Sequence, residues 1–202
     1  MRALLVATTN PGKLREIRQL MAGVPVRLLG LADLPAVDEP EETGTTFEEN
    51  ARLKAHHYSA NSGLWTVAED SGLIIDALDG EPGVRSARFL GSSATYPERF
   101  AEIYRRLDAA GDTLRTARFI AALASVNDGE VIYETTGVVE GKVADRPSGI
   151  GGFGYDPIFF YPPYGRTLAE VSELEKIAVA HRGIAFRNFA RWIKQQLPYS
   201  QR

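Results

Sequence analysis

Apolar positions along the chain follow two rhythms, a short-run one of strands and a three-to-four-residue one of helices. Residues 3–7 (ALLVA) form an unbroken apolar run, the pattern of a strand buried on both faces. The turn-prone string Thr8-Thr9-Asn10-Pro11-Gly12 follows, and Leu14, Ile17, Leu20 and Met21 then recur at helical spacing over residues 13–21. Residues 26–29 predict a second strand, and residues 35–45 an acidic loop. A helix is expected over residues 46–60, with Phe47, Ala51 and Ala55 on one stripe and Glu48 paired with Arg52. Residues 66–68 and 73–78 read as strands around a turn at Asp70-Ser71-Gly72, and residues 97–109 as a helix.

The β-rich runs 116–126 and 130–139 flank Asn127-Asp128-Gly129, so a hairpin is expected there. Ser172 and Glu175 have capping-box spacing, opening helical sequence that runs to about Gln196 with a break near Gly183. Strands mixed with helices at both ends predict an α/β (mixed α+β) fold. We expect one domain over residues 1–202, with two lobes, one of them carrying the hairpin of residues 116–140.

Composition narrows the classes. Of 202 residues, 44% are hydrophobic and 24% charged, an ordinary globular balance. A chain of this length buries ~70% of its unfolded surface and folds without a staple. The absence of cysteine removes disulfide frameworks, thiolate metal sites and Cys nucleophiles. It also fits a reducing compartment. The first apolar run is too short for a signal segment, and no stretch reaches the ~20 apolar residues of a membrane span, so the expectation is a soluble, cytoplasmic protein. The net charge of −3 and a pI near 5.7 weigh against a nucleic-acid-binding surface. An anion would have to be held by a local site.

Five segments could form one. Thr8-Thr9-Asn10-Pro11-Gly12-Lys13 leaves a strand and enters a helix, a place where backbone amides and the helix dipole favour anions, although the spacing is not a Walker loop. Glu41, Glu42, Glu69 and Asp70 are acidic, and the adjacent Glu69-Asp70 at a strand end calls for a compensating cation such as Mg²⁺. Gly151-Gly152-Phe153-Gly154-Tyr155-Asp156-Pro157 suits close approach to a flat ring. Lys176 and His181-Arg182 supply cations near a helix break, with Arg182 able to make bidentate contacts. Asn50 and Lys54 share a helix face. Taken singly, each also reads as ordinary structure: a turn with a solvated lysine, an acidic loop, a bulge with core aromatics, a basic helix end capped by Gly183, a surface helix. Together they make a nucleotide site.

The segments ATTNPGKLREI, EETGTTFEENARLKA, EDSGLIIDALDGEPGVRSARF, GGFGYDPIFF and KIAVAHRGIAF, in this order over residues 7–186, resemble the inosine/xanthosine triphosphate pyrophosphatase family. The resemblance implies an elongated two-lobed fold around a central curved mixed sheet flanked by helices, with an active-site cleft between the lobes and a homodimer. It implies Mg²⁺-dependent hydrolysis of non-standard purine triphosphates to the monophosphate and pyrophosphate. Thr8, Thr9, Asn10, Pro11, Gly12 and Lys13 would contact the triphosphate, with Lys13, Lys176 and Lys54 stabilising the leaving pyrophosphate. Asp70 would bind the metal or activate water, Glu41 would be a further metal-side carboxylate, and Ser71 would touch substrate. Phe153, Gly154, Tyr155 and Asp156, with Lys176, His181 and Arg182, would form the base and phosphate pocket, Arg182 or a backbone amide donating to the six-oxo group of the base. Two departures stand out: Glu69 precedes Asp70 where the family commonly has Asp, and Ala180 precedes His181 where Ser is common. A pyrophosphatase for pyrimidine or other modified triphosphates and a nucleotide sensor without turnover are the rival readings.

Overall fold

A computed structural model describes residues 1–196. The elements are β1 (Arg2–Val6), α1 (Pro11–Leu20), β2 (Val26–Gly30), α2 (Phe47–Ser62), β3 (Thr66–Ile75), α3 (Tyr96–Ala110), β4 (Thr116–Asn127), β5 (Glu130–Val143), β6 (Phe159–Tyr161), β7 (Arg166–Thr167), α4 (Glu173–Val179) and α5 (His181–Gln196). Seven strands form a mixed sheet in the order β2-β1-β3-β4-β5-β6-β7. β1 pairs in parallel with β2 and β3, whereas β6 pairs antiparallel with β5 and β7. The α/β class read from the sequence therefore holds. Among the described residues no helix is long and apolar enough to cross a membrane.

Local chemistry explains most element ends. Asn10 caps α1, and Pro11 fills the first helical position, where a missing N–H costs nothing. Thr46, Thr95 and Ser172 each close a capping box with the glutamate three residues on, fixing the starts of α2, α3 and α4. Asp128 (φ 52°) and Gly129 (φ 82°) make the expected β4–β5 turn, both residues left-handed as a type I′ turn requires.

Two expectations are corrected. The turn at Asp70-Ser71-Gly72 does not exist: β3 runs straight through it. Asp, Ser and Gly favour turns only where the ladder leaves them free; the β1 pairing of β3 ends at Val67, and it is β4, hydrogen-bonded to β3 on its other side, that keeps the strand extended. The break in the C-terminal helical sequence falls at Ala180 (ψ 155°), not at Gly183, which lies inside α5. Core packing of Ala185, Phe186, Phe189 and Ile193 carries α5 through the glycine.

The chain divides into two compact units. The first comprises residues 1–70, 121–137 and the segment from His181, and the second residues 71–120 and 138–180. The first unit has a core of Leu4 and Val6 from β1, Ile17 and Met21 from α1, Val67, Leu123 and the α5 aromatics, with Trp65 Nε1 donating to Ser125 Oγ at 2.7 Å. The second is built on Leu73 and Ile75 of β3, Phe100, Ile103 and Leu107 of α3, Phe119 of β4 and Phe159 of β6.

Inside the first unit lies an ion network of three buried side chains. Arg182 is 2% exposed, Glu69 3% and Glu16 4%. Arg182 donates from Nε and Nη2 to the Glu69 carboxylate (2.6–3.0 Å) and from Nη1 to Glu16 at 2.5 Å. It thus ties α5 to β3 and α1. Burial alone would raise the Glu69 pKa, but Arg182 and Lys13 outweigh it and hold the group well below the ordinary carboxylate range. Such a depressed carboxylate contributes stability that is present above its unfolded value and is lost as pH falls through the folded one.

Arg182→Met should therefore cost about 3–5 kcal/mol in urea unfolding, because Glu16 and Glu69 would both lose the buried guanidinium that bridges them. A loss below about 1 kcal/mol would show that the network does not hold these elements together. Stability in urea should fall as pH drops from the range in which an unfolded glutamate titrates down to the depressed folded value, and Glu69→Gln should flatten that fall.

Candidate active site

Strand alternation divides the two adjacent carboxylates. Successive residues of β3 face opposite ways, so Glu69 and Asp70 have different partners. Glu69 takes Arg182 and Lys13, whose Nζ lies 3.1 Å from Glu69 Oε1. Asp70, 6% exposed, accepts from Lys54 Nζ at 2.9 Å and Asn50 Nδ2 at 3.2 Å. The repulsion expected between the pair is met by separate protein cations on the two sides, and a direct metal role for Glu69 is not needed.

Helix α2 delivers the Asp70 partners as its spacing predicts. Asn50 and Lys54, one turn apart, both reach Asp70. The acidic loop is fastened to the same helix: Gly44 N–H donates to Asn50 Oδ1 at 2.8 Å, and a Cβ at Gly44 would sit 2.6 Å from that oxygen. This brings Glu42, not Glu41, to the cluster. Glu42 Oε1 accepts from Lys54 at 2.7 Å, whereas Glu41 is exposed. Burial alone would lower the Lys54 pKa, but Asp70 and Glu42 outweigh it and raise the pKa.

The β1–α1 loop behaves differently from its sequence reading. The amides of Gly12 and Lys13 donate to Asn10 Oδ1 (2.9 and 3.1 Å), and the Asn10 amide to Thr8 Oγ1 at 3.2 Å. The donors expected to be open are self-capped, and Pro11 has none. Thr9 Oγ1 donates to Glu39 at 3.3 Å. Lys13 retains 18% side-chain exposure. Burial lowers its pKa, Arg182 and Lys54 push the same way, and Glu69 and Asp70 compensate only in part.

In the second unit the glycine-rich string folds around Asp156. Its Oδ2 accepts from the Phe153 amide at 2.8 Å and from Lys176 Nζ at 2.6 Å. A Cβ at Gly152 (φ 67°) would collide with that carboxylate, so glycine is required there. Lys176 Nζ also sits 4.3 Å from the Phe153 ring centroid, and Phe153 is half-buried. Gly154 lies against Tyr96, and Ser71, on β3, is half-buried. Tyr155 turns inward: it packs edge-on to Tyr96, its hydroxyl donates to Ser86 O at 2.9 Å, and burial pushes its pKa well up.

His181 is buried at the first position of α5, beside Gly137 of β5, where a Cβ would collide with the His181 carbonyl. Arg182 is directed into the interior. Its Nε and both Nη groups bind Glu69 and Glu16, so it is not presented to a purine oxo group. Sequence reading missed Glu16 and the need for Gly137. The three-residue spacing of Lys13 and Glu16 on α1 was the available signal for the former.

A hydrated divalent cation fits the Asp70 cluster. Among the described residues no group of three or more His, Asp or Glu side chains could hold a metal alone. Yet Asp70 and Glu42 already converge on one cation, the Lys54 ammonium. Mg²⁺ commonly takes one or two carboxylates, with water and substrate phosphates filling its remaining positions.

Comparison with known proteins places this geometry. A profile described as the Ham1 family matches residues 4–192. A protein of Geobacter sulfurreducens called dITP/XTP pyrophosphatase is 46% identical over 185 residues, covering 92% of this chain and 93% of its own. One of the same name from an Exiguobacterium species is 44% identical over 184 residues, covering 91% and 93%. The solved structure of a HAM1 protein from Coxiella burnetii superposes with a TM-score of 0.88 at 38% identity, covering 96% of this chain and all of that one. With nearly its whole length matched in profile, sequence and backbone, the chain belongs to the Ham1 family.

Proposed function

We propose that this protein hydrolyses non-standard purine nucleoside triphosphates (dITP, ITP and XTP) to the monophosphate and pyrophosphate, with Mg²⁺, and so keeps them out of DNA and RNA. The observation that carries the proposal is the buried Asp70 carboxylate, held between Asn50 and Lys54 with Glu42 on the same lysine. Relatives with the same name at 44–46% identity support the substrate class.

The roles follow from chemistry. Asp70 is an acceptor fixed at two points, suited to orient and deprotonate the attacking water. Lys13 and Lys54 lie on either side of the Glu69-Asp70 pair, placed to neutralise the charge that develops on departing pyrophosphate. Thr8 and Asn10 would exchange their internal bonds for phosphate contacts. Asp70 and Glu42 would hold Mg²⁺, with Glu42 in the place that the resemblance gives to Glu41. When bound, Mg²⁺ supplies charge neutralisation and orientation at the triphosphate. Phe153 offers a face for the base, and Lys176, a donor only, suits a six-oxo purine and not the six-amino group of adenine. Gly154 and Asp156 frame that pocket within the second unit, where Ser71 would add a hydroxyl contact. The proposal includes a cytoplasmic homodimer, checked by a solution mass of twice the 22.1 kDa chain.

Asp70→Asn should lower kcat by at least ~100-fold, the scale of a lost general base, with the protein still folded by circular dichroism. A kcat near that of the unmodified enzyme would remove Asp70 from the chemistry. With Mg²⁺, pyrophosphate release should favour ITP, dITP and XTP over ATP by about 10⁴ in kcat/KM, the scale reached when a polar group is left unmatched. Preference for UTP or dTTP would support the pyrimidine reading, and binding without release would support a sensor. Because the Lys13 pKa is lowered, KM should rise with increasing pH before an ordinary lysine titrates, and Lys13→Arg should move that rise to higher pH.

A further inference from the structure

The second unit contains a groove of about 400 Å³ that the proposed reaction does not use. Small-molecule sites span roughly 300–1,000 Å³, so a compact organic ligand fits. Arg115, just before β4, lines it together with Lys142 near the end of β5 and Arg146 beyond it.

Arg115 is held at this position by its backbone. Asp112 accepts from the amides of Leu114 (3.1 Å) and Arg115 (2.9 Å), and the Arg115 carbonyl accepts from Val143 at 2.8 Å. Arg115 adopts a left-handed φ of 51°. Such a conformation is costly for a side-chain-bearing residue and persists where the surroundings impose it.

Two buried polar atoms in this part of the unit have no hydrogen-bond partner among the described residues: Nη1 of Arg115, a residue of the groove lining, and the hydroxyl of Tyr104, which lies behind it and outside the lining. The guanidinium lies over the Tyr104 ring, 5.9 Å from its centroid. Arg115 Nη2 reaches Asp108 at 3.3 Å, but Nη1 is 3.7 Å from Asp145, too far for a hydrogen bond, and the Asp145 side chain stands fully in solvent. Burial raises the Tyr104 pKa to about 12, so its hydroxyl stays a donor at neutral pH. Lys142 and Arg146 are exposed and form no ion pair among the described residues. Glu170, the remaining acid on the groove, accepts from the Thr167 amide at 2.8 Å.

Buried donors left without acceptors are uncommon in folded proteins and need an explanation. Here Arg115 lines the cavity together with two exposed cations that have no ion pair among the described residues. We propose that this groove binds a phosphate-bearing small molecule, whose oxygens accept from Arg115 while Lys142 and Arg146 balance its charge.

The test is an amide NMR titration of the whole protein, without divalent cation, against inorganic phosphate, pyrophosphate and AMP in turn. At least one of the three should give saturable shifts at Arg115 and over residues 142–146. The double variant Lys142→Gln/Arg146→Gln, two exposed side chains, should weaken that saturation at least tenfold and leave the shifts at residues 10–13 as they are. Tighter saturation by AMP would assign the site to an organic phosphate, and tighter or equal saturation by the inorganic anions to free phosphate. If no probe gave saturable shifts at these residues, or the double variant bound unchanged, the proposal would be overturned.

Discussion

Arg182 carries a positive charge into the interior of the first unit, and two carboxylates from different elements receive it. Removing three charges from water is expensive, and the cost is offset only when geometry and hydrogen bonding are close to complete. Here Nε, Nη1 and Nη2 of the guanidinium all have carboxylate partners, at 2.5–3.0 Å. Glu16 and Glu69 are as dependent on Arg182 as it is on them, so α1, β3 and α5 share one arrangement. Lys13 inherits its place from this network, because its ammonium meets the same Glu69 Oε1 that Arg182 holds in position.

The same strand turns its next residue the other way. Asp70 is presented to α2, where Asn50 and Lys54 hold it, and α2 in turn gathers the acidic loop through Gly44 and Glu42. A charge set that looks crowded in sequence is relaxed in space, with Glu69 anchored by Arg182 and Lys13 and Asp70 turned to Asn50 and Lys54.

In the second unit Asp156 plays an organising part like that of Arg182 in the first. It collects the Phe153 amide and the Lys176 ammonium, and only glycine at position 152 leaves room for it. The aromatic string therefore separates by role: Tyr155 enters the core and bonds Ser86, while Phe153 stays half-buried beside the lysine.

Much of this was legible from local chemistry. The apolar run of β1, the capping box of α4, the Asp-Gly hairpin and the shared face of Asn50 and Lys54 all depend on residues within a few positions of one another. Three features were not legible: the path of β3 through Asp70-Ser71-Gly72, the helix break at Ala180, and the choice of Glu42 over Glu41. Each is decided by neighbours distant in the chain: the pairing of β3 with β4, the aromatic core beneath α5, and a loop amide bonded to Asn50. By itself the sequence determined the element types and the residues able to do chemistry, because period, caps and side-chain type act locally. Tertiary structure alone decided which charge meets which, because Arg182 lies 113 residues from Glu69 and 166 from Glu16, and no local pattern reports a pairing across that distance.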